Sequence, residues 1–194
     1  PMMLQWHSCK KISKEAVLFF RMGDFYEAFY DDAVLISKKI NLTLTKRQGI
    51  PMCGIPHHSS EAYIDKLVAL GLCVAIAEQT EDPKEAKGLV KREVVRIITP
   101  GTTYSQHLVP DKSNNFFVSI DQVGSIFGLA ILDLSTAEFE VIEFEKSKDL
   151  LNELFKIKPS ECLCSERFAQ RNDSLIVQLK QGLDFLLTTR DSFY

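Results

Sequence analysis

The sequence predicts a mixed α/β chain folded as two small domains, and three observations carry that prediction. Apolar runs of strand length alternate with longer stretches at helical spacing. Residues 99–115, TPGTTYSQHLVPDKSNN, are rich in turn formers and have little periodicity. The order of elements also changes there: strands and helices interleave before it, and three strands follow one another after it. The expected division is a mixed-sheet domain over residues 1–107, a linker over 108–114 and a second domain over 115–194. In a chain of 194 residues, each part is long enough to bury a core.

In the first part, residues 4–14 read as a short helical lead-in and residues 16–21 as a strand. Gly23 breaks that strand, and Asp24 is a good N-cap for a helix, because its carboxylate accepts from the first free amides. Tyr26, Phe29, Tyr30, Ala33, Ser37 and Ile40 then recur at helical spacing as one buried stripe. Residues 41–45, NLTLT, alternate like a short strand, and residues 46–49 form a polar turn. IPMCGIP, residues 50–56, is a loop or strand edge bracketed by prolines. Ser59 or Ser60 caps a helix that runs to about Leu70 and ends at Gly71. Residues 72–78 are a buried strand, 83–88 a charged turn or short helix, and 91–98 a β-branched strand.

The second part opens with strands over 116–121, 126–134 and 137–144, separated by Gly124-Ser125 and Ser135-Thr136. A helix (147–155), a strand (161–164), a helical stretch (166–180) and a strand (185–189) follow. Three antiparallel strands and then helix–strand–helix–strand is the order of a ribonuclease-H-like fold. No further covering helix follows, so the expected second domain is incomplete.

Composition narrows the function classes. Hydrophobic content of 45% with 25% charged residues suits a soluble globular chain. No apolar run approaches the roughly 20 residues of a membrane span, and PMMLQWHSCKK has no signal-peptide shape. The five cysteines, an odd number without metal-ligand spacing, read as reduced and structural, with Cys162 and Cys164 on one side of a strand. A cytoplasmic location is expected. Net charge is −3, divided unevenly. Residues 1–107 carry 14 Lys+Arg against 12 Asp+Glu, and residues 108–194 carry 9 against 14. Neither part has the basic footprint of a module that holds DNA through phosphates alone.

Phe25 and Glu27 stand out at the start of the expected helix. From spacing alone, Phe25 also reads as a core residue near Phe29 and Ile36, and Glu27 as a first-turn carboxylate favoured by the helix dipole. First-turn side chains lean back toward the N-terminus, so both can project past the helix end. An apolar ring there can wedge between base steps from the minor groove, at a cost of a few kcal/mol that falls where stacking is already faulty. A neighbouring carboxylate can accept from a thymine imino group, or donate to a purine nitrogen when protonated. It repels a sound duplex.

The segments RMGDFYE, FYDDA, LTLTKR, IPMCGIPHH, AIAEQTEDP and AKGLVKREVVRIITPGT occur in order over residues 1–103, and this part resembles the MutS family of mismatch-recognition proteins. The resemblance implies that Phe25 is the intercalating wedge and Glu27 the base-contacting acid. It also implies that Met52 lies close to the distorted site, while Lys46 and Arg47 are candidate phosphate contacts. The chain departs from the common bacterial pattern in a short loop between Arg47 and Ile50 and in Cys53, where alanine is usual. Both departures concern local loop geometry. The second part resembles the family's connector by position and strand order. Mismatched double-stranded DNA is the implied partner, with a MutL-like protein met through the connector. The full-length protein is expected to be an ATP-switched homodimer with ATP and Mg²⁺ bound outside this stretch.

Other chemistries are weaker. His57 and His58 have no cysteine or carboxylate at ligand spacing nearby, so no metal is expected. A metal-dependent nuclease would draw on Asp121, Asp133, Glu138 or Glu140, but Glu138 and Glu140 alternate with Phe139 as a solvent face would. A protein-interaction adaptor is the third class. No G-x-x-x-x-G-K-[ST] phosphate loop occurs, so no cofactor and no ATP hydrolysis are expected of this stretch itself.

Overall fold

The computed structural model describes residues 2–81, 88–103 and 114–191. The turn expected over 83–88 and the linker expected over 108–114 fall outside that description, except for Gly88 and Asn114. The backbone divides between Thr99 and Pro100 into two compact units.

The first unit contains α1 (Met2–Ile12), β1 (Val17–Met22), β2 (Phe25–Phe29), α2 (Tyr30–Ile40), β3 (Thr45–Arg47), β4 (Ile50–Pro56), α3 (Ser60–Ala69), β5 (Val74–Gln79) and β6 (Arg92–Ile98). Its sheet runs β3-β4-β2-β1-β5-β6, with β1 and β5 parallel and the other pairs antiparallel. β1 is central, which explains its unbroken apolar run: Val17, Leu18, Phe19 and Phe20 are all buried because both faces are covered. Trp6 and Cys9 of α1 pack on the face of Leu18, Phe20, Phe29, Ala75 and Ala77. Phe19, Tyr26, Ala28 and Ile55 are buried on the opposite face, which α2 and α3 adjoin. Asp32 ties three elements together, accepting from Lys10 Nζ at 2.8 Å and from the Leu18 amide at 3.0 Å.

Three local expectations are corrected here. The helix expected from Asp24 begins at Tyr30 instead, and Phe25–Phe29 is a strand. Gly23 and Asp24 form the turn of a β1–β2 hairpin that pairs Met22 with Phe25, and Gly23 takes φ 60°. Pairing with β1 on one side and β4 on the other satisfies both edges of β2, which outweighs the capping tendency of Asp24. The second correction moves the short strand from 41–45 to Thr45–Arg47. Only Gln48 and Gly49 turn, with φ 50° and 83°, values that match the twist of a tight hairpin. IPMCGIP is accordingly a paired interior strand between β3 and β2.

The second unit contains β7 (Phe116–Val123), β8 (Ile126–Asp133), β9 (Glu138–Phe144), α4 (Ser147–Ile157), β10 (Glu161–Ser165), α5 (Glu166–Arg171), α6 (Asp173–Gly182) and β11 (Leu186–Arg190). Strand order is β11-β10-β7-β8-β9, with β10 parallel to both neighbours and β8 antiparallel to both, the expected ribonuclease-H-like arrangement. Val118, Ile120 and Leu129 pack with Leu150 and Leu154 of α4 and Leu175 and Leu179 of α6. Cys162 and Cys164 are buried free thiols on that same core face. The third correction is the helical stretch over 166–180, which is two helices parted at Asn172. The Asn172 side chain donates to Gln122 Oε1 (3.1 Å) and to the Phe168 carbonyl (3.3 Å), a local bonding choice that competes with helix continuation.

Candidate nucleic-acid interface

The β1–β2 hairpin places Phe25 at the first position of β2, directly after its turn. Alternation along β2 puts Phe25, Glu27 and Phe29 on one face and Tyr26 and Ala28 on the other. The expectation that Phe25 and Glu27 sit at a helix tip is therefore corrected: they are neighbours on one sheet face. Phe29 is 1% exposed and meets the Trp6 ring edge-on at 6.3 Å, whereas Phe25 is 49% exposed. One face thus passes from core to solvent within five residues. The turn is held by Arg21 Nε donating to the Gly23 carbonyl and by the His57 amide donating to the Asp24 carbonyl at 2.9 Å.

Across β2, Phe25 pairs with Pro56, Glu27 with Gly54 and Phe29 with Met52. Gly54 is exposed, and a Cβ added there would lie 3.7 Å from Glu27 Cγ, in ordinary contact. The surface beside Glu27 is therefore bare backbone. Glu27 Oε2 sits 2.7 Å from a terminal guanidinium nitrogen of Arg47, with the two side chains 15% and 43% exposed. Met52 is half-buried against the α1-side core and lies under Thr45, whose hydroxyl donates to the Met52 carbonyl at 3.1 Å. Arg47 pairs with Ile50 and Lys46 with Pro51, so the two basic residues point to opposite faces of the sheet. Phe25, Glu27, Arg47 and Met52 share one face, and Lys46 does not. Cys53 lies on the buried side of β4, where burial first and then the charge of Asp32 push its thiol pKa up to about 11.

The carboxylates of the second unit do not form a comparable site. Asp133, one of the carboxylates a nuclease would draw on, has no exposed surface. It accepts from the Ser135 amide (2.8 Å), the Ser135 hydroxyl (2.6 Å) and the Asn115 amide (3.2 Å). Burial raises its pKa, but the bonds from Ser135, Asn115 and Thr136 outweigh that and hold it below the usual carboxylate range. Asp121, Glu138 and Glu140 are exposed, and Phe139 is 68% exposed beside them, so its alternation with the two glutamates does not separate core from solvent. Among the described residues, no three His, Cys, Asp or Glu side chains converge as metal ligands.

Two family models match the chain, MutS domain I over residues 1–107 and MutS domain II over residues 115–192. The chain belongs to the MutS family. The DNA mismatch repair protein MutS of Protochlamydia amoebophila is 59% identical over 193 residues, covering 100% of this chain and 22% of the relative. The protein of the same name from Chlamydia abortus is 48% identical over 192 residues, covering 97% of this chain and 23% of the relative. The one from Staphylococcus saprophyticus is 45% identical over 175 residues, covering 88% and 20%. The chain therefore spans less than a quarter of the length of these relatives.

Within this MutS-family fold, one cluster escaped the sequence reading. The Tyr26 hydroxyl donates to Glu78, the Arg21 guanidinium stacks 5.6 Å from the Tyr26 ring, and His57 Nε2 lies 3.9 Å from Glu78 Oε1. Burial, followed by Glu78, pushes the Tyr26 phenol up to about 12. The cluster braces the hairpin from the face opposite Phe25, and it uses His57 as a structural contact. Its signal was faint: Arg21, Tyr26 and Glu78 each lie near the end of an apolar run, and nothing local says that these ends meet.

Proposed function

We propose that the first unit recognises mispaired or unpaired bases in double-stranded DNA from the minor groove. Phe25 is the wedge, and Glu27 is the group that reads the displaced base. The observation that carries this reading is a half-exposed aromatic ring sharing a sheet face with a carboxylate, in a chain of the MutS family. Burying a free ring in the base stack recovers apolar contact against an unstacking cost of about a few kcal/mol, and that cost is lowest at a mispair. Met52 continues the apolar surface behind the carboxylate. Arg47 beside Glu27, and Lys46 from the other face of the edge strand, supply charge for phosphates. Rigid support suits this task, because a wedge that yields cannot kink DNA.

The net charge of −3 supports a division in which this chain selects and the rest of the protein supplies most of the grip. We further propose that the full-length protein is an ATP-switched homodimer that uses ATP and Mg²⁺, works in the cytoplasm and contacts a MutL-like partner through the second unit. This stretch itself hydrolyses no nucleotide. The test is mispair binding by the full-length protein carrying Phe25→Ala. Loss of heteroduplex preference is expected. Retained preference would overturn the wedge and favour the adaptor reading.

A further inference from the structure

Glu27 and Arg47 form an ion pair across two strand boundaries, from β2 over β4 to the β3–β4 hairpin. Their separation of 2.7 Å is that of a charge-assisted hydrogen bond. Glu27 is the more enclosed partner and Arg47 the more exposed, so the pair is reached from solvent mainly through the arginine side chain. Nothing on Gly54 intervenes, because its position opposite Glu27 has no side chain. Met52, on the same face, leaves a thioether and not a charge alongside. Among the described residues, no other ion pair engages Glu27.

A carboxylate presented to DNA without a counter-charge is repelled by the phosphates of every duplex, sound or faulty. A carboxylate already covered by a guanidinium presents little net charge, so the face can approach. We infer that Arg47 masks Glu27 during encounter with DNA and is exchanged at a mispair, where a base takes the carboxylate and the guanidinium turns to a phosphate. Arg47 is then a specificity-determining residue, because it sets how much intact duplex the face tolerates before Glu27 is called on to read. The inference rests on the reading that this sheet face meets DNA, and it differs from a plain phosphate contact in one measurable respect. A phosphate contact acts alone, whereas a mask acts only when there is a carboxylate to cover.

The experiment is a double-mutant cycle on the full-length protein, with Arg47→Gln, Glu27→Gln and the double variant measured on intact duplex and on duplex with one mispair. Coupled neighbours deviate from additivity, and independent ones do not. With Glu27 present, Arg47→Gln is expected to weaken intact-duplex binding at least about threefold more than in the Glu27→Gln background. Mispair binding should fall less, because there the carboxylate gains a hydrogen bond from the base that intact duplex does not offer. An equal loss in the two backgrounds overturns the mask and leaves Arg47 as a phosphate contact or a bystander. Phe25→Ala is run beside the cycle: retained heteroduplex preference there removes the wedge, while the intact-duplex coupling still decides the mask. A circular dichroism melt of each variant separates misfolding from either outcome.

Discussion

Asp133 and Glu27 are both strand carboxylates close to a hairpin, and the protein treats them in opposite ways. Asp133 accepts from two donors on Ser135 and from the Asn115 amide, and no part of it is exposed. Glu27 is held by the single guanidinium of Arg47, itself 43% exposed. Saturation by rigid backbone donors makes a carboxylate part of the scaffold. A single, partly exposed partner is what the proposed exchange at Glu27 requires. The same contrast separates Phe29, sealed under Trp6, from Phe25 on the same strand face. Accessibility separates the proposed site from the scaffold more sharply than residue type does.

The largest expected effect is on Asp133. Replacing it by Ala strands buried donors, and a loss of about 3 kcal/mol is expected in urea unfolding. A loss under 1 kcal/mol would erase the distinction from Glu27. Next, Phe25→Ala should cost about 2 kcal/mol of heteroduplex affinity in the full-length protein, as hot-spot aromatics do. The melting temperature should barely move, because half of that ring is already in water. A large drop in melting temperature would return Phe25 to the core.

Acid and alkali probe two of the scaffold groups separately. The folded pKa of Asp133 lies below its unfolded value of about 3.9, so its stabilisation is present above that pH and fades as pH falls through the lower folded value. Acid unfolding of Asp133→Asn should therefore be flatter below about pH 4 than that of the parent chain. Tyr26 gives the opposite sign. With its folded pKa raised to about 12, its contribution is full below about pH 10 and is lost as pH rises from there. Tyr26→Phe should remove that alkaline slope at a cost of about 1 kcal/mol in a neutral melt. Smallest of all, Glu27→Ala should lower discrimination between mispaired and intact DNA several-fold while affecting overall affinity less than Phe25→Ala does.

Much of the fold was legible because the strands and helices of each unit are bounded by local signals. Gly71, the Ser60 region and the three-strand run after Asn115 each mark an element without reference to distant chain. The β1–β2 hairpin is not legible locally, because Gly23-Asp24 serves equally as a strand break before a capped helix and as a two-residue turn. What decides is β4, whose pairing with β2 comes from residues 50–56 and is invisible locally. The Gly-Asp pair between two aromatic-rich runs was the available clue. Phe25, Glu27 and Met52 could be named from a motif, but that Arg47 faces Glu27 while Lys46 faces away follows from strand register. The burial of Asp133 likewise depends on Asn115, 18 positions earlier in the chain.

Entry of the Phe25 ring into the base stack can be followed directly with a fluorescent base. With 2-aminopurine placed beside a mispair, binding of the full-length protein should raise its emission by unstacking it. The Phe25→Ala protein, at concentrations that saturate the same duplex, should leave the emission near that of free DNA. Equal emission with both proteins would contradict the wedge.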